Sequence, residues 1–339
     1  MNREKFKYGL FRVTNFLPFR WMRDMPDQQF VFPFYHVVSD QPRAGVRHLY
    51  PVPSVSRFKS DLDFLMSQYY PASVEEVTEY ATTGRKPVRP LFFPSFDDGF
   101  SECASIIAPV LKEKGIQAAF FVNPSCIGNQ FLAHRQKVSL LIDRVLRFDD
   151  LDHLRKLFRQ PGFENLSIAG LVASLKNLSY RDQDKIESFA FLLGIDFNNA
   201  LEEKPYMDLN QVAELRNAGH VIGSHSMDHP EFYRISEAER IRQIEESFAF
   251  IRTEVGEEHR FFAFPFTDDG TPASFFNYLR EEASVISFGT AGLKKYRPGH
   301  IQRIPMETEL LKGAEPVLRA EYVYYFLKAM VGKNKIRSK

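Results

Sequence analysis

The chain has little of several things that would classify it at once. It has two cysteines, Cys103 and Cys126, in 339 residues. That is too few for a disulfide framework, and no paired-cysteine metal spacing is present. Both read as small core residues. A single tryptophan stands against 33 phenylalanines, so any large aromatic core must be built from Phe. Excess charge is missing too: 44 Lys and Arg face 43 Asp and Glu. A general nucleic-acid binder would show a strong basic surplus, so that class is set aside. No segment approaches the roughly 18 apolar residues of a membrane-spanning helix. The basic start never runs into an unbroken apolar stretch, as a secretory signal would. A cytoplasmic protein is the expectation that follows. Residues 1–24 interleave Phe6, Leu10, Phe11, Phe16, Leu17 and Phe19 with Lys5, Lys7, Arg12, Arg20 and Arg23. Helices lying at a membrane surface have this composition, so peripheral contact with the inner membrane surface is one reading. A helix packed on the outside of the domain is the preferred one.

What is present is a rhythm. "FVFPFYHVV", "LFFPSF", "IQAAFFV", "HVIGSH", "RFFAFPF", "SVISFGT" and "HIQRIPM" read as strands. Helical stretches separate most of them. "SRFKSDLDFLMSQY" reads as a helix with Ser56 at its N-cap. Ser73 with Glu76, Asp208 with Gln211 and Ser236 with Glu239 have capping-box spacing. Gly115, Gly219 and Gly256 are placed to stop helices. Strands alternating with helices imply a parallel sheet, and about seven such units suffice to close a (β/α) barrel. Residues 28–129 and 206–339 form this barrel in the reading, after an N-terminal amphipathic segment over residues 1–27. Residues 130–205 break the rhythm. "HRQKVSLLIDRVL", "LDHLRKLFRQ", "IAGLVASLKNL" and "RDQDKIESFAFLLG" are helical patterns, so this span is expected to be a helical insertion in one connection.

Two strand ends carry chemistry. "FFPSFDDGF" runs from a core strand into Asp97 and Asp98. A turn needs one Asp or Asn before glycine, not two carboxylates that repel each other. Adjacent carboxylates call for a cation or for proton chemistry. "VIGSHSMDHPEF" places His225 and His229 four residues apart after another strand. A helical turn there would put both rings on one side. Two imidazoles with the Asp98 carboxylate make a three-ligand set for a catalytic Zn²⁺ with an open position. Co²⁺, Fe²⁺ or Ni²⁺ would suit the same donors. Asp97 is then free to act as a base. "TDDG" at residues 267–270 reads as a turn.

"SFDDGF" followed by "APVLKEKGIQAAFFV", together with "MDLNQVAELRNAGHVIGSHSMDHPEF" and "YHVVSD" at residues 35–40, resembles the polysaccharide deacetylase family. This is carbohydrate esterase family 4, the NodB homology domain. The likeness covers most of residues 30–130 and 205–305 and skips the insertion. It implies a deformed (β/α) barrel, a divalent metal that is usually zinc, and removal of acetyl groups from N- or O-acetylated sugars. Carried over residue by residue, Asp97 is the general base, and Asp98, His225 and His229 are the metal ligands. Two positions depart from the pattern. Ala263 stands where an Arg normally steadies the base, and Arg303 stands about where the proton-donating His is expected. The acid is left between His300 and His36. The expected substrate is an acetylated sugar nucleotide, a lipid-linked sugar or a surface-glycan precursor. The alternatives are a carbohydrate-binding relative that has lost catalysis and a metal hydrolase of non-sugar amides.

Overall fold

The computed structural model describes residues 3–24, 29–148, 150, 154, 167–294 and 297–332. The strands are β1 (Phe30–Val31), β2 (Pro33–Tyr35), β3 (Tyr70–Pro71), β4 (Leu91–Phe92), β5 (Ser95–Phe96), β6 (Ala119–Val122), β7 (Val221–Ser224), β8 (Phe261–Ala263), β9 (Ile286–Gly289), β10 (His300–Gln302) and β11 (Ile304–Pro305). One sheet has the order β10-β9-β8-β7-β6-β5-β2-β11, with every pairing parallel. Its two ends are consecutive in sequence. Arg303 N donates to Gly289 O (3.1 Å) and Ile304 N to Phe32 O (2.8 Å), so residues 300–305 pair with β9 first and with β2 next. One kinked segment thus closes the ring, and the sheet is a deformed (β/α) barrel with seven strand positions.

β1 and β4 belong to a smaller sheet, β1-β4-β3. The register of β1 on β4, Phe30 with Leu91, is the same as that of β2 on β5, Phe34 with Ser95. Between them Pro33 and Pro94 fall at matching positions. Neither has an N–H to give, so the ladder breaks there and resumes beyond.

Side chains alternate across these strands. Phe30, Phe32, Phe93, Phe121, Phe261 and Phe288 pack together inside the barrel. Phe92, Phe96, Phe120 and Ile222 face outward, against Phe58, Leu62, Leu65 and Leu318 of the surrounding helices. Gly223 makes the interior possible: a Cβ there would lie 2.5 Å from the Phe121 ring and 2.8 Å from Phe261 O.

Caps follow the expected chemistry with two corrections. The Ser73–Glu76 and Asp208–Gln211 boxes are both reciprocal. The helix Val55–Gln68 is capped by Ser54, not Ser56, through Ser54 Oγ accepting from Arg57 N. Ser236 accepts from Glu239 N, but Glu239 turns its carboxylate to Arg242 and Gln243, so that box is only half formed. Within residues 130–205 the described α-helices are His134–Leu146, Ile168–Lys176, Gln183–Leu193 and Phe197–Glu202, with no strand among the described residues of that span. Most of "LDHLRKLFRQ" lies outside the described residues. At the start of the chain, Arg3–Thr14 and Phe19–Asp24 are helices lying against the C-terminal helix Ala314–Met330.

Candidate active site

β5 ends inside the barrel mouth. Phe93, Ser95 and Asp97 share the inward face, and Asp97 N still donates to Tyr35 O (3.0 Å). The chain then turns through two successive left-handed residues, Asp98 (φ 71°) and Gly99 (φ 69°). Asp tolerates this conformation better than most residues. A Cβ at Gly99 would sit 3.2 Å from Val122 Cγ1, so glycine is required there twice over. The "DDG" is therefore a turn that aims two carboxylates in different directions.

His225 and His229 reach the same point from the loop after β7. The loop is not helical, contrary to the spacing argument. Ser226 (φ 68°) and His229 (φ 66°) are both left-handed, and this bent path, not a helical face, makes the two rings converge. Strained backbone of this kind persists only where its surroundings hold it. Here Ser226 Oγ accepts from His229 N (3.1 Å), Asn123 Nδ2 donates to the carbonyls of His225 (2.5 Å) and Ser226 (3.1 Å), and Gln243 accepts from Met227 N (2.8 Å).

Asp98 Oδ1 lies 3.4 Å from His225 Nε2 and 3.2 Å from His229 Nε2. The three donor atoms lie within 4.8 Å of one another, and all three residues are buried. His225 Nδ1 is 2.9 Å from Ala263 O. A carbonyl only accepts, so Nδ1 carries a proton, and Nε2 is the ring atom directed at Asp98 Oδ1. That oxygen has no hydrogen-bond partner, and neither has His229 Nδ1. Lone pairs facing each other around a buried carboxylate oxygen are unfavourable unless a cation lies among them. Bonds of about 2.0–2.1 Å from a tetrahedral metal to its ligands give ligand separations of roughly 3.3 Å. The donor set therefore fits a divalent metal. Burial pushes the Asp98 carboxyl up, but His229 and His225 overcome this and hold it well below its ordinary range. Burial holds His229 below its ordinary value, which favours the neutral form that ligates metal.

Asp97 has a different partner. Arg303, fully buried, donates to both its oxygens, Nη1 to Oδ1 at 2.6 Å and Nη2 to Oδ2 at 2.9 Å. Nη1 also reaches Ser95 Oγ (3.0 Å), and the guanidinium lies over the rings of Phe34 (4.4 Å) and Phe121 (5.2 Å). Burial raises the Asp97 carboxyl, yet the charge of Arg303 beside it brings the net shift below the ordinary value. Ala263 thus does not leave Asp97 unsupported. The guanidinium comes instead from the strand segment that closes the barrel. Sequence reasoning noted Arg303 but missed this role. Its position two residues after the inward Ile301 was the available signal.

His36 continues the inward series Phe30, Phe32, Phe34 and stands at the mouth. Its Nδ1 is 2.5 Å from Glu307 Oε2, while Oε1 accepts from His36 N (2.8 Å) and Val37 N (3.1 Å). The ring stacks on Tyr50 at 4.2 Å, and the Tyr50 hydroxyl donates to Asp98 Oδ2 (3.4 Å). Burial lowers the His36 pKa, but Glu307, with Asp98 and Asp97, raises it to about 9. His300 is not at the mouth. It lies on the outward face of its strand, with Nδ1 2.8 Å from Ser287 Oγ and Nε2 3.1 Å from Asp268 Oδ2. The "TDDG" that contains Asp268 is a turn, and Asp268 pins it to Thr290 N and Gln302.

The helix His134–Leu146 adds a residue that the sequence did not flag. His134 is buried with neither ring nitrogen hydrogen-bonded, and its Nε2 lies 3.9 Å from Glu231 Oε1. Its ring lies 6.2 Å from His229 and 5.7 Å from Phe266, and burial lowers its pKa to about 2. Tyr180 also reaches the ligand loop, donating to Asp228 Oδ2 (2.6 Å).

Comparisons with known proteins bear on the family and the fold. The family model for polysaccharide deacetylase matches residues 175–280. The match takes in the loop of His225 and His229. It also enters the second half of the helical insertion, which the motif likeness skipped, and it stops short of Asp97 and Asp98. No curated protein matches the chain. Among solved structures, the Streptococcus pyogenes deacetylase PplD in complex with acetate aligns at 13% identity over 86% of this chain and 97% of its own, TM-score 0.53. IcaB from Ammonifex degensii aligns at 17% over 86% and 96%, TM-score 0.52. A de-N-acetylase from Aggregatibacter actinomycetemcomitans aligns at 15% over 86% and 99%, TM-score 0.51. At these identities the likeness is one of fold. The resemblance to the polysaccharide deacetylase family is borne out.

Proposed function

We propose that this chain is a metal-dependent hydrolase that removes acetyl groups from N-acetylated sugars of a surface polysaccharide or its precursor. One observation carries the reading: Asp98 Oδ1, partnerless and buried, sits between two imidazole Nε2 atoms, with an Arg-held Asp97 next to it in the chain. Asp98, His225 and His229 would hold the metal, and zinc suits the donors. Bound there, such an ion would supply Lewis acidity toward the acetyl carbonyl and a water.

The chain's own groups do the proton work. Asp97 accepts the proton of the attacking water, and Arg303 keeps both its oxygens in fixed positions. As the C–N bond breaks, the sugar nitrogen takes a proton. His36 is the group we assign to give it. Its Nδ1–H is held by Glu307, and its Nε2 has no hydrogen-bond partner among the described residues. The products balance as acetate and a free amino sugar. The insertion's His134 and Tyr180 border the ligand loop, and we read the described helices of residues 130–205 as a wall that shapes the sugar site.

The departures at 263 and 303 suggested a relative without catalysis. Arg303 on Asp97 weighs against that reading, because a buried guanidinium serves a base that is still needed. The test is acetate release from N-acetylglucosamine oligomers, from an N-acetylated sugar nucleotide and from a lipid-linked acetylated sugar, using protein stripped by a chelator and then reloaded with zinc. Release that vanishes on stripping and returns with zinc supports the proposal. Fully loaded protein that releases none would sink it.

A further inference from the structure

The two ends of the chain form a face unlike the rest of the molecule. The helices Arg3–Thr14 and Phe19–Asp24 hold the C-terminal helix Ala314–Met330 by one side only. Phe19 packs edge-on against Tyr322 (5.9 Å) and Phe64 (5.1 Å), Arg319 donates to Leu17 O (2.6 Å), and Lys7 pairs with Glu321. Their other side carries apolar groups into solvent: Val13 (64% exposed), Phe16 (77%), Trp21 (67%), Phe326 (47%), Met330 (70%) and Val331 (64%). Phe16 and Trp21 flank Phe19 in the chain, and Phe326 stands one helical turn beyond the Tyr322 that Phe19 covers. The exposed groups therefore belong to the same packed pair of chain ends.

Charge separates the two ends of the sequence from the rest. The first 24 residues hold six Lys and Arg and two acids, and the last 14 hold five Lys and Arg and no acid. The chain's net charge is +1, so the intervening 301 residues carry −8. Lys5, Arg12 and Arg20 are exposed beside the apolar groups. An apolar patch of Trp and Phe set among basic side chains is the composition that seats a protein in the headgroup layer of an anionic bilayer. The negative remainder would be repelled by that surface, which fixes the orientation. No helix among the described residues is long and apolar enough to cross a membrane, so the contact is peripheral.

We propose that the terminal helices form a docking face for an anionic phospholipid surface, with Trp21, Phe16 and Phe326 entering the headgroup region. The inference does not depend on the hydrolytic reading. It joins the C-terminal helix to the N-terminal segment as one surface.

The one tryptophan makes the test direct. Trp21 emission is followed as vesicles of phosphatidylcholine, or of phosphatidylcholine mixed with phosphatidylglycerol, are added, with co-sedimentation in parallel. The mixed vesicles should shift the emission to the blue and sediment the protein. Neutral vesicles should do so far less, and salt at about 1 M should reverse most of the binding by screening. The double variant Phe16→Ser/Phe326→Ser should weaken partitioning about tenfold or more. The triple variant Arg12→Glu/Arg20→Glu/Lys328→Glu should weaken it by at least roughly fivefold per lost basic group. Both variants should release acetate from a soluble substrate like the parent, so failure of docking and failure of hydrolysis are told apart. The proposal is overturned if Trp21 emission of the folded protein ignores anionic vesicles, or if both variants bind like the parent. It is equally overturned if the blue shift appears without vesicles and grows with protein concentration, which would mean a second copy covers the face.

Discussion

Two histidine–carboxylate pairs in this barrel are chemically alike and placed for opposite ends. His36 with Glu307 stands at the mouth. His300 with Asp268 is built into the outer wall. Strand parity separates them. His36 follows Phe30, Phe32 and Phe34 on the inward face, whereas His300 precedes the inward Ile301 and Arg303 and so points out. The wall pair uses both imidazole nitrogens, on Ser287 and Asp268, and Phe264 and Phe276 enclose the ring at 5.9 and 4.9 Å. The mouth pair uses one nitrogen and leaves the other without a hydrogen-bond partner among the described residues. A proton donor needs a free nitrogen and an approach path, and a carboxylate neighbour alone confers neither.

Four substitutions can break or sharpen this contrast. His36→Gln should lower kcat by about 10²–10⁴, the usual worth of a general acid, with bound metal near that of the parent and a lower Tm, because buried Glu307 loses its charged partner. Steady-state acetate release with a thermal melt checks it. Arg303→Met leaves Asp97 buried and unpaired, so unfolding should become easier by about 3–5 kcal/mol, visible as an earlier denaturation midpoint. His300→Ala should spare the rate that His36→Gln loses. It strips a partner from buried Asp268, costing about 2–3 kcal/mol, while kcat of the folded fraction stays within about twofold of the parent.

The smallest effect is a shift on the pH axis. His36 is raised from 6.5 to about 9, so its protonated form, and the stability gained from pairing with Glu307, are fully present below pH 6.5 and lost as pH rises through about 9. The alkaline limb of kcat/KM should therefore fall near pH 9. Glu307→Gln removes the largest raising influence and should move that limb toward 6.5. An unmoved limb would mean that another group sets it.

The barrel was legible because inward and outward positions alternate in strands of distinct composition, and because capping chemistry is local. Asp98, His225 and His229 were legible as residues but not as geometry. The expectation of a helical turn failed because Ser226 and His229 adopt left-handed backbone, which no spacing pattern reveals. The Arg303–Asp97 contact joins residues 206 positions apart. It follows from where the ring closes, and the strand that closes it pairs on two sides only in three dimensions. Ser54 displaced Ser56 as a cap because either serine satisfies the local pattern, and the helix begins one residue after Ser54.

Two adjacent carboxylates divide the work proposed at the barrel mouth, and one paired experiment reads that division. Asp97→Asn and Asp98→Asn are purified under the same conditions, and metal content and acetate release are measured for each. Asp97→Asn should keep its metal and lose about 10²–10⁴ in rate, because an amide cannot take the proton. Asp98→Asn should lose metal first and regain part of its activity when metal is supplied in excess. Equal metal loss in both variants would make Asp97 a ligand instead of a base and contradict the account.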